Sequence, residues 1–259
     1  MSLDSDNDID EDEFEDAYET QPVNSSMDLD SAMVESRTAI HLFFNNKFEE
    51  AWDVLKPWVG SSMYHTVGNS VFYFIEAVLT FEQKSIQKAR ESLKETIGLC
   101  TYHRKKSTMT ESFGKIVKKP NYNLYTAEEI HAELCYAESL FLKSLLTFME
   151  DETLTSFIKG GLKIRSCFNS YKECANILHQ REWSDEKHKV HFESGVRIGI
   201  GAFNLMISLL PSRIIKLLEF IGFSGSKELG LQELHVGYNL KNGVRHVLSV
   251  MVLLSYHLV

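Results

Sequence analysis

From Ser31 to the last residue, apolar side chains recur every three to four positions, the period of helices that bury one face. The first stretch carries Met33, Ile40, Leu42, Phe43 and Phe44, breaks at Asn45-Asn46-Lys47, and resumes with Phe48, Ala51, Trp52, Leu55 and Trp58, which predicts a helical hairpin. A second pair is predicted over about 62–83 and 85–102, each member opened by a serine whose hydroxyl can accept from the free amides of a helix start. Residues 104–125 are polar and include Lys118-Lys119-Pro120-Asn121, which predicts a loop or a poor helix. Thr126-Ala-Glu-Glu129 is a capping-box start, and the third pair runs over 126–149 and 155–179. A fourth group begins near Glu186, passes through Gly195 to Leu210, breaks at Pro211 and resumes over 214–220; segments 224–234 and 243–259 bring the count to about ten.

Helices in consecutive pairs, at intervals of roughly 35–60 residues, predict an all-α, irregular helical-hairpin repeat in which each pair buries its face against the next. Phe48, Ala51 and Pro57 approach the tetratricopeptide spacing of an aromatic, a small residue and a closing proline, and Ile86 and Ala89 echo it. Only 4 Pro and 14 Gly are present, too few punctuating residues for an all-β sandwich or barrel. The 44% hydrophobic content is enough for a buried core.

Charge divides the chain in two. Residues 1–36 hold 13 Asp and Glu and no Lys or Arg, which leaves 23 acidic against 27 basic residues from Arg37 onward, so the net charge of −9 belongs to the N-terminus. Residues 1–30 are poor in aliphatic side chains and cannot offset chain entropy by burial, so they are expected to be a disordered acidic tail ahead of a helical-repeat domain over 31–259.

Little in the chain points to chemistry. Cys100, Cys135, Cys167 and Cys174 lie far apart with no C-x-x-C pair, and read as reduced, buried thiols. Gly199-Ile-Gly201-Ala-Phe-Asn follows a helical pattern and lacks a third glycine, so Gly195, Gly199 and Gly201 read as small residues that admit a neighbouring helix rather than as a nucleotide loop. His188, His191 and Glu193 have no further ligand cluster and read as solvated, so no metal and no cofactor is expected. Lys159-Gly160-Gly161 with Lys163 and Arg165 lacks the full phosphate-loop pattern. His103-Arg104-Lys105-Lys106, with Lys115, Lys118 and Lys119, is the one dense basic run, too little for nucleic acid. The longest apolar stretches, 198–210 and 247–259, are 13 residues each, short of the roughly 18–20 that cross a bilayer. With no basic or apolar leader at the N-terminus, a cytoplasmic location is expected.

Several segments carry a family resemblance: Phe14-Glu-Asp-Ala, Ser62-Met-Tyr-His, Thr80-Phe-Glu-Gln, Phe157-Ile-Lys-Gly-Gly-Leu-Lys-Ile-Arg, Gly199 to Pro211, and Glu219-Phe-Ile-Gly-Phe-Ser-Gly. From about Phe14 to its last residue the chain resembles the tetratricopeptide repeat protein 39 family. That resemblance implies a helical-repeat scaffold without a known catalytic centre, and members that continue for about as many residues again. The chain stops inside the apolar run 247–259, so an incomplete repeat domain with an exposed apolar face, open to self-association, is expected.

The acidic tail contains Glu13-Phe14-Glu15-Asp16-Ala17-Tyr18-Glu19 behind a run of Asp and Glu. It resembles the "two phenylalanines in an acidic tract" motif, E-F-F-D-A-x-E, that binds the major sperm protein domain of the endoplasmic-reticulum VAP receptors. Glu13, Phe14, Asp16, Ala17 and Glu19 match, and Glu15 replaces the second Phe. Phe14 would be the aromatic anchor, Asp16 would meet a cation or backbone donors, and the acidic flank would speed encounter with a basic domain. The sequence therefore predicts a non-enzymatic protein-binding scaffold, tethered at the endoplasmic reticulum. The alternative is a lipid-handling protein whose apolar segments 196–223 and 244–259 line a cavity or lie on a membrane.

Overall fold

The computed structural model describes residues 27–104, 120–150, 154–210, 212–220 and 224–258. Among them are ten α-helices and no strand: α1 Leu29–Phe44, α2 Phe48–Leu55, α3 Met63–Thr80, α4 Gln83–His103, α5 Ala127–Glu150, α6 Leu154–Gln180, α7 Glu186–Leu209, α8 Ser212–Phe220, α9 Lys227–Asn239 and α10 His246–Leu258. The acidic segment through Ser26, with its 13–19 motif, and the basic residues over 105–119 lie outside the described residues.

Local chemistry sets most helix ends. Asp28 opens α1 by accepting from the Ser31 amide at 2.9 Å. The helix stops where Asn46 takes a φ of 63°, a conformation that asparagine tolerates better than most residues. Thr126 and Glu129 form the reciprocal capping box, the Thr126 amide donating to Glu129 at 2.7 Å and the Glu129 amide to the Thr126 hydroxyl at 3.1 Å. Two serine caps expected from sequence are used differently. The Ser62 hydroxyl sits 2.9 Å from His65 Nδ1 and does not cap α3. Phe81 ends α3 in the left-handed region, so α4 begins two residues before Ser85, whose hydroxyl donates to Glu76 at 3.3 Å.

From α1 to α7 each helix packs on the next in sequence, as α9 does on α10, and the odd-numbered members α1, α3, α5 and α7 also pack in a row, each on the next. The even-numbered α4 and α6 bridge successive members of that row. This two-layer stacking is the geometry of a helical-repeat protein. One core joins α1, α2 and α3 around Met33, Leu55 and Phe72, and a second joins α5, α6 and α7 around Leu134, Ile177 and Phe192. All four cysteines are buried and unbridged.

The C-terminal helices break the simple succession. Helix α9 lies tightly on α7, where Gly201 and Gly230 meet backbone to backbone: a Cβ on Gly201 would stand 3.0 Å from the Gly230 carbonyl oxygen. The connection after α9 then folds back over the row, with Val244 in the core of α1–α3 and Arg37 donating to the carbonyls of Lys241 and Asn242 at 3.4 Å each. The sequence pattern starts the last helix at 243, but Gly243 and Arg245 are held against Ser194, so α10 begins at His246. No helix among the described residues is long and apolar enough to cross a membrane.

Candidate functional site

Arg245 is the centre of a buried polar chain. It is 2% exposed and comes from the α9–α10 connection to meet side chains of α3 and α5. Its Nε donates to Glu138 Oε2 at 2.8 Å and one terminal nitrogen approaches the same oxygen at 2.6 Å. The other terminal nitrogen donates to the Tyr64 hydroxyl at 3.2 Å, and a longer contact of 3.6 Å reaches Cys135 Sγ. With its oxygen accepting from Arg245, Tyr64 donates to His131 Nδ1 at 2.7 Å. The His131 proton then sits on Nε2, 3.4 Å from His188 Nδ1. His188 Nε2 in turn lies 3.3 Å from Asp30 and 3.8 Å from Asp185 at the surface. Residues from α1, α3, α5 and α7 are thus tied to one arginine supplied by the C-terminal segment.

Burial decides the charge states along this chain. It pushes His131 well below the ordinary imidazole value, and the nearby His188 and Arg245 side chains add to the effect. Burial likewise lowers His191 to about 4, helped by Arg245 and Arg37. Burial raises the Tyr64 hydroxyl in spite of the neighbouring guanidinium. On Arg245 burial works against the charge, but Glu138, Tyr64 and Cys135 outweigh it. The Cys100 thiol is raised by burial, whereas the bond from Cys100 holds Cys135 below its usual value.

Beside this chain, α3, α5, α7 and α10, with Tyr171 of α6, line an open pocket of about 710 Å³, inside the range of small-molecule sites. Val71, Phe141, Leu205, Met206, Leu248 and Met251 supply much of its apolar wall. Glu138 and Tyr171, 9% and 4% exposed, are the buried polar residues of the lining. Both Arg245 contacts fall on Glu138 Oε2, which leaves Oε1 without a partner among the described residues. The Tyr171 hydroxyl also has no hydrogen-bond partner among them. Its ring lies directly on Gly199, where a Cβ would stand 1.9 Å from a ring carbon. Burial and the charge of Glu138 raise the Tyr171 hydroxyl well above the usual range.

The three glycines singled out from sequence all lie on α7 but meet different neighbours. Gly195 faces the Leu134 and Arg245 side chains, Gly199 faces Tyr171, and Gly201 faces the Leu234 side chain and the Gly230 carbonyl of α9. Gly160 and Gly161 fall inside the continuous helix α6. The histidines read as solvated are not: His191 is 7% exposed with Nδ1 unpartnered, and His188 is half-buried in the polar chain. Among the described residues no group of three His, Cys, Asp or Glu could hold a metal ion. Glu13, Phe14, Asp16, Ala17 and Glu19 are outside the described residues. Sequence reasoning missed Arg245, Glu138, Tyr64 and His131; the one available signal was Arg245, a lone charge at the head of the apolar run 247–259.

Comparison with known proteins agrees with this architecture. Residues 37–259 match the family model described as Iml2/Tetratricopeptide repeat protein 39. The chain is 38% identical over 251 residues to tetratricopeptide repeat protein ttc-39B of Caenorhabditis elegans, covering 95% of this chain and 43% of that relative, so it spans less than half of the relative's length. No solved structure matches. With its helical-repeat layering and a family match over most of its length, the chain belongs to the Iml2/tetratricopeptide repeat protein 39 family.

Proposed function

We propose that this chain is a non-enzymatic helical-repeat scaffold in the cytoplasm that holds a protein partner and is tethered at the endoplasmic-reticulum surface by its acidic N-terminal segment. The observation that carries the scaffold reading is the row α1, α3, α5, α7 with bridging helices between its members, the layering by which repeat proteins build extended binding surfaces. The tip of the α3–α4 hairpin supports it. Leu79 and Phe81 are 76% and 68% exposed there, and Phe81 holds a φ of 55°, a backbone state that costs a bulky residue about 1 kcal/mol.

The tether rests on sequence chemistry: Glu13, Phe14, Asp16, Ala17 and Glu19 at the positions the acidic-tract motif requires, with a strongly acidic flank. An extended peptide loses conformational entropy on binding, so micromolar rather than nanomolar affinity is expected for the major sperm protein domain. The test is a fluorescence-anisotropy titration of a peptide covering residues 1–24 against that domain at two salt concentrations, with Phe14→Ala and Asp16→Ala controls. Saturable, salt-weakened binding that Phe14→Ala abolishes supports the tether. Absence of binding, or indifference to Phe14, refutes it.

A further inference from the structure

We infer that the pocket between α3, α5, α7 and α10 is a binding site for a neutral, elongated apolar molecule that ends in a hydroxyl group. This goes beyond the scaffold and tether reading and does not depend on it.

Size and lining define the body of the ligand. A volume of about 710 Å³ walled by aliphatic and aromatic side chains favours an apolar molecule. The rim carries Leu209, 60% exposed, the exposed Ser255, and Tyr256, over whose ring Lys227 sits at 5.0 Å. The depth holds Glu138 and Tyr171. The molecule would therefore lie with its chain along α7 and α10 and its polar end buried.

The polar end is defined by what those two residues leave unsatisfied. Glu138 Oε1 can only accept, because the carboxylate is paired with Arg245 through Oε2. The Tyr171 ring is buried while its hydroxyl, unpartnered among the described residues, stays accessible from the pocket, where it can donate. A ligand hydroxyl satisfies both, donating to Glu138 and accepting from Tyr171. A pure hydrocarbon leaves both without a partner, which is costly in an apolar setting. Charged head groups fit worse. Glu138 and Arg245 already neutralise one another, so a carboxylate or an ammonium would be buried without a counter-ion. Gly199 is what lets the Tyr171 ring lie against α7 at the buried end of this site, since a Cβ there would overlap it.

The experiment is calorimetric titration of the full chain with 1-decanol, decanoate and decylamine. The inference predicts saturable binding of one decanol per chain and at least roughly ten-fold weaker binding of either charged analogue. Ala202→Trp, which fills the pocket from α7, is expected to abolish decanol binding. Tyr171→Phe, which removes one hydrogen-bonding oxygen, is expected to weaken it roughly five-fold with the urea midpoint preserved. Failure of decanol to saturate, equal affinity for decanoate, or unchanged binding in Tyr171→Phe would overturn the inference. A symmetric dimer that Ala202→Trp dissociates, with no decanol binding, would overturn it in favour of a second copy of the chain as the occupant.

Discussion

The buried Arg245–Glu138 pair sets a measurable asymmetry between breaking an ion pair and deleting it. Arg245→Met strips Glu138 of both contacts to Oε2 while the carboxylate stays 11% exposed, and it also removes the donor to Tyr64. Leaving one member of a buried pair alone costs about 3–5 kcal/mol, because its desolvation is no longer offset. With a urea dependence of about 3 kcal/mol per molar, that loss moves the unfolding midpoint down by about 1–1.7 M. Arg245→Met combined with Glu138→Met removes both charges together. The apolar pair has no desolvation to recover, so the double variant is expected within about 2 kcal/mol of the parent and above the Arg245→Met single. The assay is urea unfolding of the full chain followed by helical circular dichroism, for the parent, both singles and the double. An Arg245→Met loss below about 1 kcal/mol, or a double variant as unstable as the two singles added, would refute the reasoning that this arginine locks the C-terminal segment onto α3 and α5.

Other consequences are equally direct. Burial holds His131 and His191 below their ordinary value, His191 to about 4, whereas the unfolded chain binds their protons near pH 6.5. Stability should therefore be complete above about pH 6.5 and fall as pH drops toward 4, by at most about 1.4 kcal/mol per pH unit for each histidine. Urea midpoints at about pH 7.5 and 5.5 check this, and replacing both histidines by Gln should flatten the difference. Gly201→Val is expected to cost about 1–3 kcal/mol, since its Cβ meets Leu234 at 2.7 Å and the Gly230 carbonyl at 3.0 Å. Gly68→Ala meets only the tip of Leu55 at 3.2 Å, and the gain in helix propensity should keep its change within about 1 kcal/mol. Thermal unfolding of the two glycine variants side by side reads that contrast.

What the sequence revealed divides along the range of the interactions. The break between α1 and α2, the capping box at Thr126 and Glu129 and the interruption near Pro211 were legible because each is written within a few neighbouring residues. Ser85 failed as a cap because Phe81 turns the chain earlier, and Ser62 because His65 takes its hydroxyl. Long-range burial could not be read this way. Arg245 meets Glu138 107 residues away and Tyr64 181 residues away, and no periodicity in 243–259 marks an arginine that turns inward. The two α7 histidines look polar in their own helix. Their surroundings are distant in sequence: His188 meets His131, 57 residues away, and Arg245 acts on His191. The pocket was hidden for the same reason, since it exists only where α10 lies over a gap among α3, α5 and α7.

The central claim is that a folded helical scaffold is carried to the endoplasmic-reticulum surface by Phe14 and its acidic surroundings. Flotation of the full chain with vesicles that display a major sperm protein domain tests it most directly. The account predicts that the parent floats with those vesicles and not with bare ones, that raised salt weakens the association, and that Phe14→Ala stays at the bottom of the gradient while remaining folded. Flotation that persists in Phe14→Ala, or a parent chain that fails to float at all, would contradict it.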